Sequence, residues 1–179
     1  MKDDSVAPIS LARRRISFKS DTRSEASAHR IAVPAAGSGG DPRTGGGTLR
    51  VYNSDSGAGM PTDDVTVDLA AGLWSALGSS PITGYRYDNP DPNGPIKRVM
   101  VKADRIQVKG GKANWSYTLD EDAQGRVAVE LTLGSGAAWC AEATARVSGV
   151  PPTSAASDHQ DVFTAQPKSP APAVCPPTK

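Results

Sequence analysis

"RVAVELTLG", Arg126–Gly134, puts Val127, Val129, Leu131 and Leu133 on one side of an extended chain and Ala128, Glu130 and Thr132 on the other. Four consecutive alternations at a period of two describe a strand with one buried face, because successive side chains in a strand point to opposite sides. A helix would scatter the same residues around its circumference. A strand of this kind points to an all-β fold, and the flanking sequence continues the pattern.

Upstream, "KRVMVKADRIQVKG", Lys97–Gly110, repeats the pattern with one interruption. Val99 and Val101 share one parity and Ile106 and Val108 the other, so the chain must bulge or turn near Ala103-Asp104 to keep both pairs in one core. Gly110-Gly111 then predicts a hairpin into a strand carrying Trp115, Tyr117 and Leu119 inward, with Asn114, Ser116 and Thr118 outward. Downstream, "AAWCAEA" (Ala137–Ala143) supplies one more strand with Cys140 in or beside the sheet. Toward the N-terminus, "TLRVYNS" (Thr48–Ser54) groups Leu49 with Val51 and sets Tyr52 opposite, and "DVTVDLA" (Asp64–Ala70) groups Val65, Val67 and Leu69. No window of comparable length sustains a helical period; "AAGLWSALGSS" (Ala70–Ser80) holds a turn or two at most.

Roughly eight or nine short strands at turn-punctuated spacing predict an all-β fold, an antiparallel β-sandwich that is jelly-roll-like or a partly closed barrel. Residues 1–47 read as an extended leader that adds one strand at 15–20, where Ile16 and Phe18 alternate with polar neighbours. Residues 48–142 form the core. Residues 143–179 form a Pro/Ala-rich tail that packs through "DVFTAQ" (Asp161–Gln166), with Phe163 as its anchor.

Length and composition agree with a single domain. The chain has 179 residues, a hydrophobic fraction of 37%, 18 glycines and 15 prolines, which is enough apolar material for one modest core interrupted by many turns. The net charge of +1 selects no nucleic acid partner, and Arg13-Arg14-Arg15 reads as a solvated run. No stretch approaches the ~20 apolar residues of a membrane helix, so no membrane insertion is expected. Met1–Ser20 carries no continuous apolar run of the signal-peptide kind.

Cys140 and Cys175 are the only cysteines. The second lies in "SPAPAVCPP" (Ser169–Pro177), a segment with no reason to bury a lone thiol, so a bridge pinning the tail to the body accounts for its position. Such a bridge stabilises by roughly 3–4 kcal/mol on the chain-entropy model; two unrelated thiols are the alternative.

The candidate chemistries are sparse. In "DNPDPNG" (Asp88–Gly94), Asn89, Asp91 and Asn93 followed by glycine match the first half of a calcium loop, but Met100 stands where a bidentate Glu belongs and Pro90 and Pro92 stiffen the loop. A tight corner between strands is the simpler reading. "DSGAG" (Asp55–Gly59) has the form of an aspartic-protease signature without a second copy. His29 and His159 fall in the leader and the tail, no Gly-x-Ser-x-Gly elbow occurs, and no zinc spacing is present. No catalytic residue and no cofactor follow from the sequence. "NWS" (Asn114–Ser116) matches a glycosylation acceptor inside an expected strand, where coincidence is the simpler reading. Tyr85 and Tyr87, on one face beside the 88–94 loop, and Trp74 are the candidate platform for a glycan or other small ligand.

"GGGTLRVYNS" (Gly45–Ser54), "LWSALGSS" (Leu73–Ser80), "GYRYDN" (Gly84–Asn89), "VKADRIQVKG" (Val101–Gly110), "YTLDEDAQGRVAVELTLGSGAAWCA" (Tyr117–Ala141) and "APAVCPP" (Ala171–Pro177) together resemble a recurring module of exported bacterial proteins. That module is often the C-terminal part of larger surface proteins, and the resemblance runs from about Ile16 to Pro176. Its phrases are structural, so it carries over no catalytic role. It implies export, and with it an oxidised Cys140–Cys175 pair; some relatives have cysteine where this chain has Ile96. The functional expectation is a non-enzymatic extracellular or cell-surface module, structural or adhesive, meeting a protein or surface partner. A glycan-binding sandwich is the alternative.

Overall fold

A computed structural model describes residues 9–12, 15–21, 32–55, 63–103, 105–111, 114–165, 172 and 174–177; for 9–12 and 15–21 the description is of the backbone. Among the described residues, twelve strands make two antiparallel sheets. β1 (Ile9–Ala12), β2 (Arg15–Asp21), β5 (Trp74–Leu77), β6 (Gly84–Asp88), β7 (Ile96–Lys102), β8 (Arg105–Gly110), β11 (Asp158–His159) and β12 (Val162–Thr164) form an eight-stranded sheet in the order β11-β12-β1-β2-β8-β7-β6-β5. β3 (Gly47–Asn53), β4 (Asp64–Leu69), β9 (Arg126–Leu133) and β10 (Trp139–Thr144) form a four-stranded sheet in the order β10-β9-β3-β4. The sheets face each other as a sandwich and do not close into a barrel.

The alternation in β9 becomes burial as expected. Val127 and Val129 are fully buried and Leu131 and Leu133 nearly so; they join Leu49 and Val51 of β3 against Val99, Val101, Ile106 and Val108 of the facing sheet. The parity conflict between β7 and β8 is resolved by their antiparallel register, in which Lys102 pairs with Arg105, Val101 with Ile106 and Val99 with Val108, and a register shift between Ile96 and Arg98 adds a bulge. Phe163 anchors the tail as predicted, fully buried on β12.

Three expectations are corrected. Residues 114–120 alternate in burial, with Trp115, Tyr117 and Leu119 inward, yet they join no ladder. Both edges of β8 are already taken, by β2 and β7, so no partner edge is left for a hairpin and the segment crosses from one sheet to the other. Asn114 of the glycosylation triplet is consequently exposed in a turn. The N-terminal segment supplies two strands rather than one, and they lie inside the large sheet, β2 against β8 and β1 against β12.

The glycine-rich run Ala35–Gly47 is a packed corner. Asp41 is fully buried and caps the single helical turn α1 (Pro42–Gly45): its carboxylate accepts from Gly37 N at 2.7 Å, Arg43 N at 3.0 Å and the Arg43 guanidinium at 2.7 and 3.1 Å. The guanidinium hydrogen bonds outweigh burial and hold the Asp41 carboxyl well below the usual carboxylate range. The turn between β9 and β10 sits directly on this corner. Gly134 has φ +52°, and a Cβ there meets the Gly39 carbonyl oxygen at 2.2 Å. Gly134→Ala is therefore expected to cost about 2–4 kcal/mol in urea unfolding, combining a left-handed backbone with a backbone clash. Gly72→Ala, where an added Cβ meets nothing within 4 Å, is expected to be near neutral.

Candidate functional site

The three aromatic candidates belong to the core. Tyr85 is 0% exposed, Tyr87 3% and Trp74 6%. The β5–β6 register sets Trp74 opposite Tyr87, and their rings meet at 5.4 Å, tilted by 57°. Tyr85 donates its hydroxyl to the Pro34 carbonyl at 2.9 Å, and Trp74 its indole N–H to the Leu69 carbonyl at 3.2 Å. These polar ends are satisfied internally, so the rings present no face to a sugar. The parity that unites Tyr85 with Tyr87 is correct; the side it points to is the interior, because Arg86 and Asp88 take the outer face.

The 88–94 loop is a corner joining β6 to β7. Asn89 Oδ1 accepts from Asp91 N and Asp91 Oδ1 from Asn93 N, both at 2.9 Å, and Gly94 N donates to the Asp91 carbonyl at 3.3 Å. Asn89 and Asp91 thus use side-chain oxygens on their own backbone, as in successive Asx turns, which is the alternative use of these residue types to ion ligation. Asn93 is exposed at the tip.

Asp55 closes a different local turn, its N–H donating to Asn53 Oδ1 at 2.9 Å. Ser56–Gly59 of the protease-like signature and His29 lie outside the described residues; His159 is exposed on β11.

Sequence reading missed a polar cluster at one end of the sandwich, built around the buried Gln124. Gln124 accepts from the Tyr117 hydroxyl at 2.9 Å and donates to Glu121 at 3.0 Å, while its backbone carbonyl accepts from Asn53 Nδ2 at 2.6 Å. Asp158, nearly fully buried on β11, accepts from Gln124 N at 2.7 Å and Gly125 N at 2.8 Å. The tail is thereby tied to the corner before β9 by charge-assisted bonds. Burial, reinforced by the surrounding carboxylates, pushes the Tyr117 hydroxyl far up, so it serves as a permanent donor.

Beside this network the carboxylates of Asp63, Asp120 and Glu121 converge, with oxygens within 4.8 Å of one another. Thr118 donates to Asp63 Oδ1 at 2.7 Å. Burial first, and then the charges of Asp63 and Asp120, raise the Glu121 carboxyl. The oxygen set is chemically suited to a hard cation, but its geometry is also that of acids gathered where two corners meet.

A cavity of about 390 Å³ opens between the sheets beside Trp139, lined by Val33, Val101, Ile106, Leu131 and Leu133 among others. Its lining has no charged side chain, so it lacks the convergent polar groups that orient a specific ligand.

Cys140 and Cys175 are joined by a disulfide, with Cα atoms 5.4 Å apart. Cys140 lies opposite Glu130 in the β9–β10 register, which places the bridge on the outer face of the small sheet. There the tail lies over Tyr52, which is 1% exposed and donates its hydroxyl to the Pro176 carbonyl at 2.6 Å. Tyr52 points away from the core as its parity predicts and is buried by the tail instead. Comparison with protein-family models, curated proteins and solved structures gave no match for the chain.

The raised Glu121 carboxyl fixes a sign for pH dependence. A carboxyl whose folded pKa exceeds its unfolded value destabilises the fold once ionised, so its contribution is intact below the unfolded value and lost as pH rises through the folded one. Glu121→Gln, which keeps an acceptor for Gln124, is expected to raise the thermal midpoint at pH 7 and leave it unchanged near pH 4. Thermal unfolding monitored by circular dichroism at the two pH values checks both.

Proposed function

We propose that the chain is a non-enzymatic extracellular module, structural or adhesive, that presents the outer surfaces of a rigid β-sandwich to a macromolecular partner at a cell surface. The observation that carries this reading is the Cys140–Cys175 bridge, which fastens a proline-rich tail across the outer face of the small sheet. Bridges of this kind form and persist in oxidising compartments. Their loss is costly where the segment they hold has little apolar surface of its own. The resemblance to modules of exported bacterial proteins points the same way. A sugar platform on Tyr85, Tyr87 and Trp74 is set aside, because their rings are buried. Among the described residues no helix is long and apolar enough to cross a membrane.

Alkylation of the natively produced protein without reductant is expected to add no label to its intact mass, and two labels after reduction and denaturation. Two labels without reduction remove the basis for extracellular placement. Cys175→Ser is expected to lower stability by about 3 kcal/mol in urea unfolding. It is also expected to raise solvent quenching of fluorescence in a variant that reports on Tyr52.

A further inference from the structure

The net charge of +1 conceals a segregation of charge between the two outer faces of the sandwich. In β6, β7 and β8 the inward residues are Tyr85, Tyr87, Val99, Val101, Ile106 and Val108, leaving Arg86, Asp88, Arg98, Met100, Lys102, Arg105, Gln107 and Lys109 on the outer face. Five cations share that face with one carboxylate. The outer face of the small sheet is the opposite: Asp64, Asp68, Glu130 and Glu142 share it with Arg50 and Arg126, and both arginines are engaged there, by Asp64 and by Glu142.

The register makes the basic face harder to explain as packing. Lys102 lies directly across from Arg105, and Arg98 directly across from Lys109. Like charges directly opposite on neighbouring strands destabilise a sheet, and here they occur twice in one hairpin. Asp88 relieves one end: it pairs with Arg86 and, at 2.7 Å, with Arg98, which fixes both guanidinium groups. Lys102 and Lys109 gain nothing from it. On the adjoining β2 the register places Lys19 beside Gln107 and Asp21 beside Arg105.

We infer that this outer face of β6, β7 and β8 is a docking surface for an acidic polysaccharide, a linear chain bearing carboxylate or sulfate groups. The inference rests on the extracellular reading above and names the partner class for it. Arg98 and Lys102 are four residues apart on β7, so the two like-charge pairs lie about 13 Å apart along the strands. A single small anion reaches one pair; an extended polyanion reaches both, with Arg86 between them. Nucleic acid is a poorer fit, since the tyrosines of β6 point inward and leave no ring for base stacking, and a broad sheet face does not enter a groove. A lipid surface is also a poorer fit. Among the described residues the large exposed apolar ones are Val147, Val150 and Val174, none of them on this face, and Met100 is half-buried. A second copy of the chain offers its acidic face, but that face is partly covered by the tail and its arginines already pair with acids.

The test uses the full, oxidised chain and isothermal titration with heparin and polygalacturonate, against dextran, duplex DNA, and phosphatidylcholine vesicles with and without phosphatidylglycerol. Both acidic polysaccharides are expected to bind, with affinity falling as salt rises, and dextran is not. The double variant Lys102→Glu, Lys109→Glu is expected to lose about tenfold or more in affinity. Its thermal midpoint is expected to rise, because both like-charge pairs become opposite-charge pairs, a combination that a purely structural role for these lysines does not produce. Arg126→Glu, on the other sheet, is expected to leave binding unchanged. Absence of polysaccharide binding at low salt, or binding indifferent to the double variant, overturns the inference. So does tighter binding to DNA or to anionic vesicles, or a concentration-dependent dimer that the variant abolishes, which assigns the face to a second copy. The thiol count is independent of all these readouts, so failure of the extracellular reading is told apart from failure of this one.

Discussion

The structure depends on two sheets sharing one apolar interior. Val127, Val129, Leu131 and Leu133 of β9 form one wall, and Val99, Val101, Ile106 and Val108 of β7 and β8 form the other. Each strand can offer only every second residue to that interior, so a one-residue slip anywhere turns a row of valines to water. The corrections to parity found along the chain all serve this requirement: the bulge between Ile96 and Arg98 and the pairing of Lys102 with Arg105. So does the unpaired crossing at residues 114–120, which keeps Trp115, Tyr117 and Leu119 in the core without a ladder.

This constraint explains which parts of the fold were legible beforehand. A period of two records which residues share a side, and it did so correctly for β3, β7, β8 and β9. It does not record which side is the interior when both sides carry bulky residues. Tyr85 and Tyr87 alternate with Arg86 and Asp88, and only the surrounding sheet decides that the rings go in. Nor does alternation establish pairing. Residues 114–120 satisfy the pattern but find both edges of β8 occupied, a fact of topology no local window contains. Tyr52 illustrates a third limit, since it sits on the outer face and is buried by a tail more than a hundred residues away.

The candidate sites divide along the same line. The 88–94 corner was readable because its chemistry is local: each Asx side chain bonds a backbone N–H two residues on. The end cluster of Asn53, Tyr117, Glu121, Gln124 and Asp158 was not, since it gathers residues from separate corners. The charge segregation lies between these cases. Lys102 and Arg105 flank a turn that sequence indicates, but whole-chain composition sums the two outer faces and cancels them.

The place of the N-terminal strands has a consequence for how the molecule comes into being. Leu11 of β1 pairs with Phe163 of β12, and β2 fills the gap between β1 and β8. β1 and β2 can pair with each other at once, and β2 with β8 later, but the other edge of β1 has no partner until Val162–Thr164 have been made. Loop closure over such separations is slow, and every intermediate keeps an open hydrogen-bonding edge. The larger sheet therefore cannot close before strands about 150 residues apart in sequence have met, and the β1 edge is the last in its middle to be covered.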